Sequence, residues 1–151
     1  MKLSKKFAGE GRINPDASLR DKQSIIINAS AQKVWDVLIN FESWSEWNDQ
    51  IKSVKYDEIA EGSNFEWIIN GAKIKSTISR IAAPELLSWT GTYKGLKAIH
   101  VWKIDPTEED QTIVTCEESL QGFLTLFFGH QKLHQTLLYW LAKLKEKVES
   151  E

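Results

Sequence analysis

The spacing of apolar residues changes three times along this chain. Up to residue 21 no period is sustained, and Gly9, Gly11, Pro15 and scattered charges predict an irregular arm over 1–21 with Ile13 and Leu19 as its candidate anchors. Order is expected from residue 22, in one domain over 22–151. Ile25, Ile26 and Ile27 are consecutive and β-branched, which predicts a first strand over 24–28 buried on both faces. Ser30 is placed to cap a helix over 31–39, where Val34, Trp35, Leu38 and Ile39 fall at helical spacing, and 40–47 predicts a second short helix after a kink.

From residue 51 to 120 the period becomes two. Turn signals at Glu61-Gly62, Asn70-Gly71, Pro84-Glu85, Lys94-Gly95 and 105–110 divide this stretch into six strands in a meander. Asn70-Gly71 is the sharpest of them, because a two-residue hairpin turn needs positive φ at both positions and that dipeptide tolerates it. From about 124 to 149 the period lengthens again: Leu126, His130, Leu133, Leu137, Trp140 or Leu141, Leu144 and Val148 recur every three or four residues. Gly129 disfavours a helix interior, so this long helix begins at 124 or at Gly129 itself. Its apolar arc needs a large apolar partner, and the sheet is the one surface able to supply it. The fold class is therefore α+β: a curved antiparallel sheet of about seven strands around a long C-terminal helix.

Alternation then assigns faces. Phe65, Trp67 and Ile69 share the inner face with Ile74, Ser76 and Ile78, with Leu87, Trp89, Gly91 and Tyr93, with Ala98, His100, Trp102 and Ile104, and with Val114, Cys116 and Glu118. Glu66, Lys73, Lys75 and Thr90 face outward. If the 105–110 hairpin is in register, Trp102 lies opposite Cys116 and His100 opposite Glu118. Closing the preceding hairpin over 94–97 sets Trp89 beside Trp102 and Gly91 beside His100, leaving space next to a buried polar pair.

Composition narrows the function classes. A chain of 151 residues can bury roughly 68–70% of its unfolded surface in one core. Net charge is −2, so there is no overall basic field of the kind that draws a protein to nucleic acid or to anionic lipid. One cysteine, Cys116, excludes an internal disulfide and fits a reducing compartment. The first eleven residues lack the apolar run of a secretory signal, and no stretch approaches the roughly 20 apolar residues of a membrane span, so a cytoplasmic protein with no integral membrane contact is expected. The glycosylation pattern Asn28-Ala29-Ser30 would then be silent. Seven Trp in 151 residues exceed ordinary packing needs and suggest an indole-lined pocket for a small hydrophobic molecule.

The candidate chemistry centres on His100 and Glu118, where a partly desolvated carboxyl beside an imidazole could move a proton to or from a ligand carbonyl, or could simply orient a ligand or satisfy itself. His130 and His134 have the i, i+4 spacing of a helical metal pair, but Gln131 stands where the zincin pattern needs Glu and no third ligand is near, so no metal and no cofactor are expected. His130 is placed toward the pocket mouth and His134 near the helix surface. Cys116 has no cationic neighbour beyond His100 and reads as a small core residue. Lys143, Lys145 and Lys147 form a solvated helix face.

Several of these residues carry a resemblance: Ile27-Asn28-Ala29-Ser30 with Val34-Trp35, then Trp44-Ser45-Glu46-Trp47-Asn48, Pro84-Glu85-Leu86-Leu87-Ser88-Trp89, the His100-Val101-Trp102 strand and the 141–149 ending. Over 22–149 the chain resembles the SRPBCC superfamily, START-like or birch-pollen-allergen-like with a helix-grip fold, and most closely its polyketide cyclase/dehydrase branch. The resemblance implies a hydrophobic cavity whose mouth lies between the short helices around Trp44 and Trp47 and the helix start around Phe127 and Phe128. The expected ligand contacts are Trp67, Ile69, Ser76, Ile78, Trp89, Gly91, His100, Trp102, Cys116, Glu118, Phe127 and His130. Three functions remain open: carriage, sequestration or sensing of a hydrophobic or aromatic ligand such as a lipid, quinone or polyketide; a cyclase/dehydratase-type enzyme using His100 and Glu118; and a protein-interaction domain, which would need an exposed apolar patch.

Overall fold

The computed structural model describes residues 2–151. In chain order the elements are helix α1 (Lys2–Gly9), strand β1 (Leu19–Ile27), helix α2 (Ala31–Ile39), a 3₁₀ turn (Phe41–Ser43) and short helix α3 (Trp44–Trp47). Then come β2 (Ile51–Tyr56), β3 (Asn64–Ile69), β4 (Ala72–Ala82), β5 (Leu86–Tyr93), β6 (Leu96–Pro106) and β7 (Thr112–Gln121), one helical turn α4 (Thr125–Phe128) and the long helix α5 (His130–Glu149). All seven strands form one antiparallel sheet in the order β1-β7-β6-β5-β4-β3-β2. β2 to β7 are the predicted meander, and β1 closes it by pairing with β7.

Local chemistry explains most boundaries. Ser30 caps α2, its Oγ accepting from the Lys33 N–H at 3.2 Å. Asn70 and Gly71 turn at φ 49° and 81°, the pair of positive angles expected of the β3–β4 hairpin. α5 lays Leu133, Leu137, Trp140, Leu141, Leu144 and Val148 onto the inner face of the sheet, where they join one core with Trp89, Trp102, Ile78 and Val114. This is the helix-grip arrangement: the sheet supplies a concave apolar surface and the helix fills it.

Four expectations need correction. The arm 1–21 is not irregular: α1 forms, and Phe7 and Ala8 bury against Ile99 and Val101 on the outer face of β6, with Ile13 and Leu86 around them. Ser88 Oγ donates to the Ala8 carbonyl at 2.6 Å and ties the helix to β5. β1 also starts earlier, at Leu19, and it is an edge strand, so Ile26 is 52% exposed instead of buried on both sides. The β5–β6 hairpin closes on Lys94 and Gly95, both at positive φ, rather than over 94–97. That moves the register by two: Trp89 pairs with His100, Gly91 with Ala98 and Leu87 with Trp102. A shift of two preserves every residue's face and changes only its neighbour. Finally, of the two starts left open for the last helix the one at Gly129 (φ 82°) forms, with α4 a separate turn before it, and Leu126, expected on the apolar arc, is off it at 75% exposure.

Candidate functional site

A cavity of about 420 Å³ opens between the first turns of α5 and the β3–β7 part of the sheet. Its inner wall is indole: Trp67 from β3, Trp89 from β5 and Trp140 from α5. Ile69, Ile74, Leu96, Ala98 and Leu120 extend the apolar lining toward the mouth, where Leu124, Phe127 and Phe128 of the β7–α5 connection form the rim. Gly91 also lines it, and a Cβ there would come within 3.1 Å of Ile74 Cγ2 and Ser76 Oγ, so the glycine keeps this wall open. Glu118, Lys132 and Tyr93 are the ionisable side chains on the wall. A larger hollow of about 820 Å³ sets Val54, Tyr56 and Phe65 among Lys55, Glu66, Lys75, Thr77 and Thr90; it is open to water and its walls mix charged and apolar groups, so it encloses a hydrophobic molecule less well.

Glu118 is the polar focus. Its side chain is 16% exposed and lies on the cavity wall. Loss of hydration pushes its carboxyl up to about 8, so it is protonated at neutral pH and can donate a hydrogen bond. The β6–β7 register pairs it with His100 and pairs Trp102 with Cys116, as the hairpin spacing predicts. His100 Nδ1 stands 3.9 Å from Glu118 Oε1, but burial drives the imidazole down to about 3. Distance alone would make this an ion pair; desolvation of both partners makes it a neutral pair instead. On its other side His100 Nε2 is 2.9 Å from Cys116 Sγ, a contact that one shared proton satisfies. Burial, with Glu118, Glu117 and Asp21 adding negative potential, raises the Cys116 thiol far above its usual range, so it is no nucleophile.

Of the residues expected to touch a ligand, Trp67, Ile69, Trp89, Gly91, Glu118 and Phe127 line the cavity. The others do not. His100 is 1% exposed, stacked 5.4 Å from Trp102 and tilted against Trp89 at 4.7 Å, so it sits behind the wall. Trp102, Cys116 and Ile78 are core. Ser76 is spent on the Trp67 Nε1–H, which it accepts at 3.0 Å. His130 lies outside the cavity lining at the β1 side of the helix, its side chain 60% exposed and 3.7 Å from Asp21, while His134 Nδ1 donates to Asp21 Oδ2 at 3.0 Å. The mouth is likewise only half as expected. Phe127 and Phe128 are there, but Trp44 is fully buried, its Nε1–H given to the Leu38 carbonyl, and it packs on Phe41, Trp89 and Trp140 away from the cavity.

Sequence reasoning missed Trp140, Lys132 and Asp21. Trp140 competes with Leu141 for one helical position, and both are buried. Asp21 was readable: Leu19, Asp21, Gln23, Ile25 and Ile27 alternate with exposed Arg20, Lys22 and Ser24, which puts a carboxylate on the inner face of β1 opposite Glu118. Also missed was an exposed apolar patch, Phe123, Leu126 and Phe127, at 73%, 75% and 74% exposure.

The same architecture recurs in solved structures of low sequence identity. A START superfamily protein from Mycobacterium smegmatis superposes with a TM-score of 0.75 at 15% identity, covering 87% of this chain and 97% of the other. A hypothetical protein from Helicobacter pylori gives 0.74 at 14% identity, with 86% of each chain covered. The Zhui aromatase/cyclase from Streptomyces sp. R1128 gives 0.72 at 14% identity, covering 86% of this chain and 93% of that one. No curated protein matches this sequence. Among the described residues no helix is long and apolar enough to cross a membrane. The sequence itself matches a described family over residues 20–149, from β1 to the end of the gripped helix, and the chain therefore belongs to the polyketide cyclase/dehydrase and lipid transport family.

Proposed function

We propose that this protein binds one small, uncharged, hydrophobic or aromatic molecule bearing a carbonyl or hydroxyl group, for carriage, sequestration or sensing. The observation that carries the reading is a carboxyl group, Glu118, on the wall of a mainly apolar, indole-faced cavity of about 420 Å³, where loss of hydration pushes it up to about 8. Volume and lining suit a ligand of a few fused rings or a short lipid, and stacking on Trp67, Trp89 and Trp140 would favour flat ligands. A neutral donor on a mainly apolar wall discriminates a ligand oxygen from a hydrocarbon, because a hydrocarbon displaces water and leaves the donor unpaired. The lone thiol suits a reducing compartment, and we place the protein in the cytoplasm.

The test is native mass spectrometry of freshly purified protein, followed by titration of a panel of quinones, aromatic ketones and matched hydrocarbons against tryptophan fluorescence. Wild type should retain or bind a ketone or quinone. Glu118→Gln, which keeps an N–H donor, should bind within a few-fold of wild type, and Glu118→Leu should lose about tenfold for the ketone and little for the hydrocarbon. A clean apo mass together with no quenching by any member of the panel would sink the reading.

A second reading, a cyclase or dehydratase, is favoured by one feature: a protonated carboxyl on the cavity wall can serve as a general acid toward a ligand carbonyl. In that reading Glu118 touches the substrate and His100, behind the wall, acts only through it. Turnover of a poly-carbonyl substrate that Glu118→Gln abolishes without loss of binding would select this reading over simple carriage.

A further inference from the structure

The connection from β7 to α5 shows an unusual surface. It runs Gln121-Gly122-Phe123-Leu124-Thr125-Leu126-Phe127-Phe128-Gly129, with Gly122 and Gly129 at φ 129° and 82°. Thr125 Oγ donates to the Gly122 carbonyl at 2.7 Å and fixes the single turn between those glycines. The turn holds Phe123, Leu126 and Phe127 out into solvent at about three-quarters exposure each, a level that leaves most of their apolar area uncovered by the chain. Phe127 belongs both to this protrusion and to the cavity rim, so the exposed apolar tip is continuous with the mouth of the cavity.

Charge around that tip is of one sign. The segments that surround the mouth, 67–74, 92–97 and 121–136, contain Lys73, Lys94, Lys97 and Lys132 and no Asp or Glu, although the whole chain carries a net charge of −2. Of the carboxylates that touch these segments, Glu118 lies on the cavity wall, Asp21 is held by His134, and Glu66 pairs with Lys73 at 3.4 Å. Lys132 lies over the Phe128 ring at 5.1 Å and Lys94 over Tyr93 at 5.3 Å, which sets ammonium groups at the level of the rim aromatics.

We propose that this tip docks on an anionic lipid surface, with Phe123, Leu126 and Phe127 inserted at the headgroup–acyl boundary and Lys94, Lys97 and Lys132 against lipid phosphates. Three protruding side chains fall well short of the roughly 800 Å² per partner of a stable protein interface. They do suit insertion into a bilayer interface, where apolar insertion and a basic rim act together. Docked in this way, the cavity mouth faces the acyl region, and a hydrophobic ligand could pass between bilayer and cavity without crossing water. The docking stands on the tip alone and does not depend on which ligand the cavity takes.

The experiment is co-sedimentation of the full chain with vesicles of phosphatidylcholine containing roughly one-third phosphatidylglycerol, beside vesicles of phosphatidylcholine alone. The expected result is binding to the anionic vesicles that weakens several-fold from about 0.1 M to about 0.5 M salt. Phe123→Ser with Leu126→Ser should lower it by about tenfold or more. Both residues lie outside the cavity lining, so that double variant should keep wild-type thermal unfolding and wild-type ligand quenching in solution, which separates failure of docking from failure of the ligand reading. Lys94→Glu with Lys97→Glu should abolish the preference for the anionic vesicles. Absence of wild-type binding to anionic vesicles overturns the proposal, as does binding that the double serine variant leaves unchanged. So does a wild-type dimer, by light scattering, that the serine variant converts to monomer, since the patch would then be covered by a second copy.

Discussion

His100, Cys116 and Glu118 show how burial sets chemistry one residue at a time. Each is an ionisable group, and each is held neutral because the sheet and α5 remove water faster than the neighbours can replace it. Cys116 therefore behaves as a packed side chain. In the folded protein near pH 8 it should resist a disulfide-exchange reagent by on the order of a thousandfold or more relative to the unfolded chain. Its labelling rate should track urea unfolding, and fast labelling of native protein would mean that the β6–β7 core opens locally. The His100–Glu118 and Trp102–Cys116 pairings were legible because strand alternation and one hairpin register suffice to place them. Whether those side chains meet a cavity was not, since that depends on how deep α5 sits along the strands. Trp140 and Trp89 cover His100 and leave Glu118 on the wall, and no periodicity encodes that difference.

Elements whose two faces do different work were the hardest to read. In β6 the inner set Ala98, His100 and Trp102 alternates with Ile99 and Val101, which are also buried. A strand apolar on both faces needs a cover on each, and α1 is the outer cover, joined through Phe7 and Ala8. Its pattern is too short to stand out, because eight residues hold little periodicity and isolated helices of that length are unstable without tertiary packing. Phe7→Ala should therefore cost about 2–4 kcal/mol in urea unfolding, toward the lower part of the usual Phe→Ala range, and leave ligand quenching at Trp67, Trp89 and Trp140 unchanged. A cost within about 0.5 kcal/mol of zero would mean that α1 adds nothing to the fold. The β5–β6 turn was misjudged for a related local reason. Lys94 takes the positive φ of a hairpin position usually filled by Asn or Gly, so its sequence understated how tight the turn is.

At the scale of the whole molecule, two neutral buried groups give the fold a pH window. His100 is held near 3 against an unfolded value of 6.5, so the unfolded chain takes up a proton first, and stability present above 6.5 is lost as pH falls from there through 3. Glu118 is held near 8 against an unfolded value of 4.5, so the unfolded chain releases its proton first, and stability present below 4.5 is lost as pH rises from there through 8. Between about pH 4.5 and 6.5 the two opposed slopes cancel into a broad maximum, and at about 1.4 kcal/mol per pKa unit stability falls from it by about 2 kcal/mol on each side, toward pH 3 and toward pH 8. Urea midpoints at about pH 3.5, 5.5 and 8.5 should trace this dome for wild type. Glu118→Gln should flatten its alkaline side, so that the variant gains on wild type from pH 5.5 to 8.5, and His100→Phe should flatten the acid side. Wild-type stability that rose steadily from pH 5.5 to 8.5, unchanged in slope by Glu118→Gln, would mean that Glu118 is ionised and hydrated in the folded protein. The cavity would then present a charge rather than a neutral donor to its ligand, and the preference for an uncharged carbonyl compound would fall with it.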